Sequence, residues 1–270
     1  MSNKISTMVK RLKLPTRAFG AEPGQPDVTV LAGWIAEHRG RMADIITFQL
    51  DQSLAPQVSA EIGTPCAGGT FYADRIRQCI TGIDNRRAVG ELHLDTPEII
   101  EDAAGIVVQK KGAWCAIPAP PMLGIVDAFY GNEDEWTCAI CEVYDTIMRT
   151  MRDTGVAGHV LICTSMDDGV LAALSRQKVF FFQPEPDREG LALLMEHQRQ
   201  VAVGKKQLPV LFDLTNEYTL RKVFIIDPDP EAVRLALDHL DPDQVVAGGY
   251  CTADSGEYWK TLVADAFYER

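Results

Sequence analysis

Strand-length apolar runs that end in an acidic or Gly-rich turn, each followed by a helix-like segment, recur along this chain. The pattern is clearest at 159–169, 179–190, 223–231 and 245–257. Val223, Phe224, Ile225 and Ile226 leave no polar alternate position, which marks a strand covered on both faces, as in a parallel sheet. An α/β fold is therefore predicted, with neighbouring strands at 159–164, 179–183, 223–227 and 245–249. Two architectures satisfy this: a mostly parallel, Rossmann-like open sheet with a hairpin-bearing N-terminal portion, and an irregular α/β barrel. Uneven strand spacing and the hairpin favour the open sheet. In both, ligands collect at the carboxyl ends of the strands.

The N-terminal half is more varied. Val28, Leu31, Ala32 and Ile35 recur at helical spacing and predict a helix over 27–39, closed by Gly40. In 43–51, Ile46, Phe48 and Leu50 alternate with Thr47, Gln49 and Asp51, the period of a strand with one polar face. Helices are expected at 55–62 and at 70–83, the second capped by Thr70. A strand follows at 91–95, then a helix opening at Thr96-Pro97. The segment 106–117 reads as a hairpin turning at Lys110, Lys111 and Gly112. Farther on, 208–214 reads as a strand with a mixed or antiparallel neighbour. The PAPP segment at 118–121 breaks regular structure. It divides the chain into a basic arm over 1–26, a lobe over 27–126 and a lobe over 127–270, the two lobes being either separate or one continuous domain.

Composition narrows the function classes. With 38 acids against 26 Lys and Arg and a net charge of −12, the chain lacks the cationic surplus that begins phosphate binding, so nucleic acid is not an expected partner. A basic stretch precedes Glu22, with Lys4, Lys10, Arg11, Lys13 and Arg17. No apolar segment reaches bilayer-spanning length, and a soluble, cytoplasmic protein is expected. The 7 cysteines are odd in number and mostly sit in apolar segments, which fits reduced thiols. Cys138 and Cys141 fall inside a helix predicted over 133–152 and begun by Asn132. Neither is at its N-terminus, so both are expected to be buried thiols and not a redox pair.

Signatures of common chemistries are missing: there is no GxGxxG after a strand, no GxxxxGK[ST], no GxSxG and no HExxH. What remains is a set of acidic and glycine-bearing turns. Asp167, Asp168, Glu185, Asp187, Asp227 and Asp229 follow strands, where carboxylates suit a hard cation or acid–base work, and equally cap the helices that come next. Gly248 and Gly249, with Ser255 at the following helix start, suit an anion, as do the glycines of 64–70. Glu91, His93 and Asp95 share one face of a strand, either as metal ligands or as its solvent side.

The catalytic candidates are thus Asp168, Asp227 and Asp254. Asp167, Asp168, Asp227, His93 and Asp95 are the metal candidates, and Gly248, Gly249 and Ser255 the ligand-binding ones. Together they point to an enzyme acting on a small anionic metabolite with a divalent metal, Mg or Mn before Zn, its reaction open among hydrolysis, lyase chemistry and group transfer. The competing reading is a non-catalytic ligand-sensing or assembly subunit, homo-oligomeric in form.

Overall fold

The computed structural model describes residues 11–38, 42–252 and 255–269. In chain order its first half contains β1 (Arg11–Lys13), β2 (Thr16–Ala21), α1 (Val28–Glu37), α2 (Ile45–Ser59), β3 (Cys66–Gly68), α3 (Ala73–Cys79), β4 (Ile80–Asp84), β5 (Arg87–Leu94), α4 (Pro97–Gln109), β6 (Trp114–Pro118) and β7 (Val126–Asp127). The second half contains α5 (Glu133–Thr154), β8 (His159–Ile162), α6 (Asp168–Leu174), β9 (Val179–Phe182), α7 (Arg188–His197), β10 (Gln200–Gly204), α8 (Leu208–Leu214), β11 (Lys222–Ile226), α9 (Pro230–Leu237), β12 (Val245–Cys251), α10 (Ser255–Asp265) and β13 (Phe267–Glu269).

Two four-stranded parallel sheets, ordered β3-β6-β8-β9 and β10-β11-β12-β2, form the centre. One buried cluster draws side chains from every one of these strands: Phe19, Cys66, Ala116, Val160 with Ile162, Phe180 with Phe182, Ala202, Phe224 and Val246. A cluster fed from all the strands is the filled interior of a closed barrel. The alternate residues, such as Leu161, Phe181, Val223 and Ile225, belong to a second cluster shared with the helices. Burial on both faces explains why these strands read as unbroken apolar runs. The α/β architecture is a parallel barrel, the second of the two arrangements the sequence admits. The hairpin of its N-terminal portion, β4–β5, lies outside the barrel in a small sheet with β7.

The two half-sheets meet at unusual joints. Beside β2, a single bridge joins Arg17 to Thr64, and α2 completes the neighbouring strand with side chains. Gln57 accepts from the Cys66 N–H at 2.8 Å and donates to its carbonyl at 2.7 Å, while the Ser53 hydroxyl accepts from the Gly68 N–H at 2.8 Å. At the β9–β10 joint the Gln198 amide plays the same part. It accepts from the Phe181 N–H at 2.9 Å and donates to the carbonyls of Phe181 and Gln200 at 3.0 and 2.9 Å. Side-chain amides thus satisfy backbone groups that would otherwise be buried without partners.

Several local expectations change. The alternating 43–51 segment is the start of α2, whose N-terminus is capped by Asp44. Its polar residues Gln49, Ser53 and Gln57 are buried at a spacing of four because they face the barrel strands, and this scrambles the amphipathic signal. The 106–117 segment is the end of α4, a turn and β6, so the N-terminal hairpin falls at 80–94 instead. The 208–214 run is the helix α8, with Pro209 in its first turn, and the neighbouring strand β10 is the element that was not anticipated. Thr16–Ala21, within the stretch read as a basic arm, is a fully buried barrel strand.

Candidate active site at the carboxyl rim of the barrel

The rim groups begin with Glu22, which leaves β2. Its carboxylate accepts from the Thr70 N–H at 2.7 Å, from the Thr70 hydroxyl at 2.8 Å and from the Tyr250 phenol, and its own N–H donates to the Cys251 carbonyl at 2.7 Å. Thr70, expected as a helix cap, therefore turns its hydroxyl to a distant carboxylate. The close approach requires glycine at 69, where a Cβ would collide with the Ala21 carbonyl and with Glu22 Oε1.

A second arm of the same network runs from Tyr250. Its backbone N–H donates to the Tyr258 hydroxyl at 2.9 Å, and that hydroxyl donates to Asp227 Oδ1. Asp227, just beyond β11, has φ of 50°, in the left-handed region that is uncommon for a side-chain-bearing residue. Its N–H is fixed to the Gly248 carbonyl at 3.0 Å, so the strand ladder holds the carboxylate at the rim. Partial desolvation raises the Asp227 carboxyl above its ordinary value, and the Tyr258 hydrogen bond offsets this in part. Burial and the adjacent carboxylates push both phenols well up, so Tyr250 and Tyr258 remain protonated donors at neutral pH. The ring of Tyr250 packs edge-on against Phe182, with centroids 5.3 Å apart, which joins the network to the barrel interior.

The other predicted residues are distributed as follows. Asp167 caps α6 by accepting from the Val170 N–H at 2.8 Å, and Asp187 and Asp229 cap α7 and α9 in the same manner. Asp168 pairs with His197 at 2.9 Å, on the helix layer. Asp229 also takes a 2.9 Å contact from Lys205. Glu91, His93 and Asp95 lie on the exposed face of the hairpin, with His93 Nε2 3.8 Å from Glu91. Gly248 and Gly249 are buried within β12, where added Cβ atoms would press on Ile226 and Phe19 or on Trp259 and Leu262. Ser255 is the first residue of α10, and Asp254 lies outside the described residues. Among the described residues, no group of three or more His, Cys, Asp or Glu is placed to hold a metal ion.

Cys141 is buried on the inner face of α5, beside Ile140 and Tyr144, but Cys138 is exposed, which corrects the expectation that both are buried. The spacing of three turns one thiol inward and leaves the other beside Glu142 on the outer face. No helix among the described residues is long and apolar enough to cross a membrane.

Asp227 is thus the one predicted site residue whose side chain joins the rim network among the described residues, with the Gly248 carbonyl holding its backbone. Thr70 and Tyr250 fall inside the two glycine-bearing loops read as anion sites, at 64–70 and 248–256, whereas Glu22 and Tyr258 were not singled out. Glu22 follows β2, whose second residue is Arg17, and that charge interrupts the apolar run. Tyr250 lies one residue beyond the Gly248-Gly249 pair, where a signal was present.

No known family description matches the chain, and no curated protein is similar to it. Solved structures do resemble it. A B12-independent methionine synthase from Shewanella sp. W3-18-1, in complex with selenomethionine, superposes with a TM-score of 0.64 at 14% identity, covering 94% of this chain and 96% of that one. A provisionally named vitamin-B12-independent methionine synthase from Listeria monocytogenes gives 0.61 at 11% identity, covering 93% and 94%. The likeness extends over nearly the whole of each chain and establishes a shared parallel α/β fold.

Proposed function

We propose that this protein is an enzyme that performs acid–base chemistry on a small metabolite at the carboxyl rim of its barrel, with Asp227 as the proton-transferring group. The observation that carries this reading is the state of Asp227. It is a carboxyl of raised proton affinity, held in a strained backbone conformation at the end of a parallel strand and hydrogen-bonded by a phenol that stays protonated. Strain and shifted proton affinity are both concentrated at functional sites, and barrels place their chemistry at this end. Tyr258 orients the carboxylate. Glu22, with three donors on it, fixes the turn after β3 and the end of β12 around the substrate position.

The substrate class remains that read from the sequence, a small anionic metabolite, and a divalent ion such as Mg or Mn would assist by neutralising it. Such an ion would be held by the anionic substrate and water, which leaves the Asp227 carboxyl free for proton transfer. The resemblance to methionine synthases supports an enzyme on this fold without fixing the reaction. The rival role of an assembly subunit draws support from α1, which buries none of its residues although it carries Val28, Val30 and Ile35.

A substrate-independent test is available. Pools of carboxylates, amino acids and phosphorylated metabolites are incubated with the protein in D2O, with and without Mg, and NMR follows C–H exchange or conversion. The expected result is protein-dependent turnover of a pool member that falls by about 100-fold or more in Asp227→Asn. Turnover that survives unchanged in Asp227→Asn removes the assignment of the base, and inertness toward every pool favours the assembly role.

A further inference from the structure

Arg17 sits inside the barrel, toward the end opposite the rim, and it has no acidic partner. Its side chain points inward from β2 on the same face as Phe19. The guanidinium carbon lies 4.2 Å from the Trp114 ring centroid, 4.9 Å from Phe180, 5.0 Å from Phe224 and 5.1 Å from Phe19. The residue is 8% exposed, and its Nε and Nη2 are sealed off without an acceptor. The ionisable neighbour that acts on it is a thiol, Cys66, and burial lowers its proton affinity only to about 10, so it remains charged at neutral pH.

Aromatic rings stabilise a guanidinium through its faces. They supply neither an acceptor for the N–H groups at its edge nor a countercharge. A buried, unpaired charge is costly, and folded proteins meet it with an opposite charge. Here the chain supplies none among its described residues. Nη1 is the guanidinium nitrogen outside the sealed set, so the way to the charge is along that edge. A monatomic anion is the smallest countercharge that could reach an edge so little exposed. From this we infer that a halide ion, chloride in solution, binds at the Nη1 edge of Arg17 and serves as the missing counter-ion of the barrel interior. The site is independent of the rim chemistry, being made by β2, β6, β9 and β11 at the other end of the barrel.

The test compares thermal unfolding in sodium chloride and in sodium gluconate at equal ionic strength, for the wild type and Arg17→Met, together with diffraction from crystals grown in bromide. The expected results are a saturating rise of about 3 °C or more with chloride in the wild type, no such rise in Arg17→Met, and an anomalous bromide peak beside Nη1. Equal midpoints in the two salts overturn the proposal. A bromide peak without chloride dependence in solution marks binding at crystal concentration only and overturns it as well. If Arg17→Met does not fold, the wild-type salt comparison and the bromide map decide.

Discussion

Two buried or half-buried ionisable groups make opposite demands on pH. Asp227 has a raised carboxyl whose ionised form is stabilised by Tyr258. Replacing Tyr258 by Phe removes a hydrogen bond that lowers its proton affinity, so the acid limb of any activity that needs the ionised carboxylate should move to higher pH. A pH–rate profile of Tyr258→Phe checks this, and a limb unmoved or moved downward would contradict it. His159 is fully buried, both ring nitrogens lack partners, and desolvation, aided by the nearby Arg152 charge, depresses its titration to about 3. The folded state therefore refuses a proton that the unfolded chain accepts near 6.5. The resulting stability is present above that value and declines by about 1.4 kcal/mol per pH unit as pH falls toward 3. Urea denaturation at pH 8 and pH 5 should show a loss of about 2 kcal/mol from this group that His159→Leu abolishes. At this scale the sequence was only partly legible. Asp227 stood out by its place after an apolar run, whereas the roles of Glu22 and Tyr258 depend on contacts between residues more than 30 positions apart.

Among the elements, strands were readable where both faces are apolar and unreadable where they are short or carry charge. β8, β9, β11 and β12 announced themselves, while β3 spans only Cys66–Gly68 and β2 carries Arg17. α2 was misread because its buried stripe is polar, and that stripe exists because the helix finishes the edge of β3. Gln198 serves the β9–β10 joint in the same way, so its amide is more than a surface polar group. Gln198→Leu would strand the Phe181 N–H and two carbonyls at the joint, and the expected cost is about 2 to 4 kcal/mol by chemical denaturation. Hydrogen exchange supplies a local readout, since the Phe181 amide should lose protection well before those of β8. A neutral effect would mean that water replaces the amide there.

For the molecule as a whole, the parallel α/β class followed from the apolar runs. Closure did not, because it rests on a pairing between strands about 230 residues apart in sequence: Thr16 opposite Ala247 and Arg17 opposite Gly248. No local pattern encodes so distant a partner. That pairing has a temporal side. During synthesis Thr16–Ala21 emerges about 230 residues before its ladder partner Val245–Cys251. One edge of β2 meets Thr64 soon after, but the edge that pairs with β12 must wait until the intervening chain is produced. Contacts of such long sequence separation form late because loop closure precedes any gain from them. In pulse-labelled refolding, the amides of β2 and β12 should accordingly acquire protection together and after those of β8 and β9. Early protection of β2 alone would point to a different order. Until β2 and β12 pair, the chain holds an incomplete cylinder whose open edge at β12 exposes unpaired backbone groups, so the interval before closure is when aggregation threatens most.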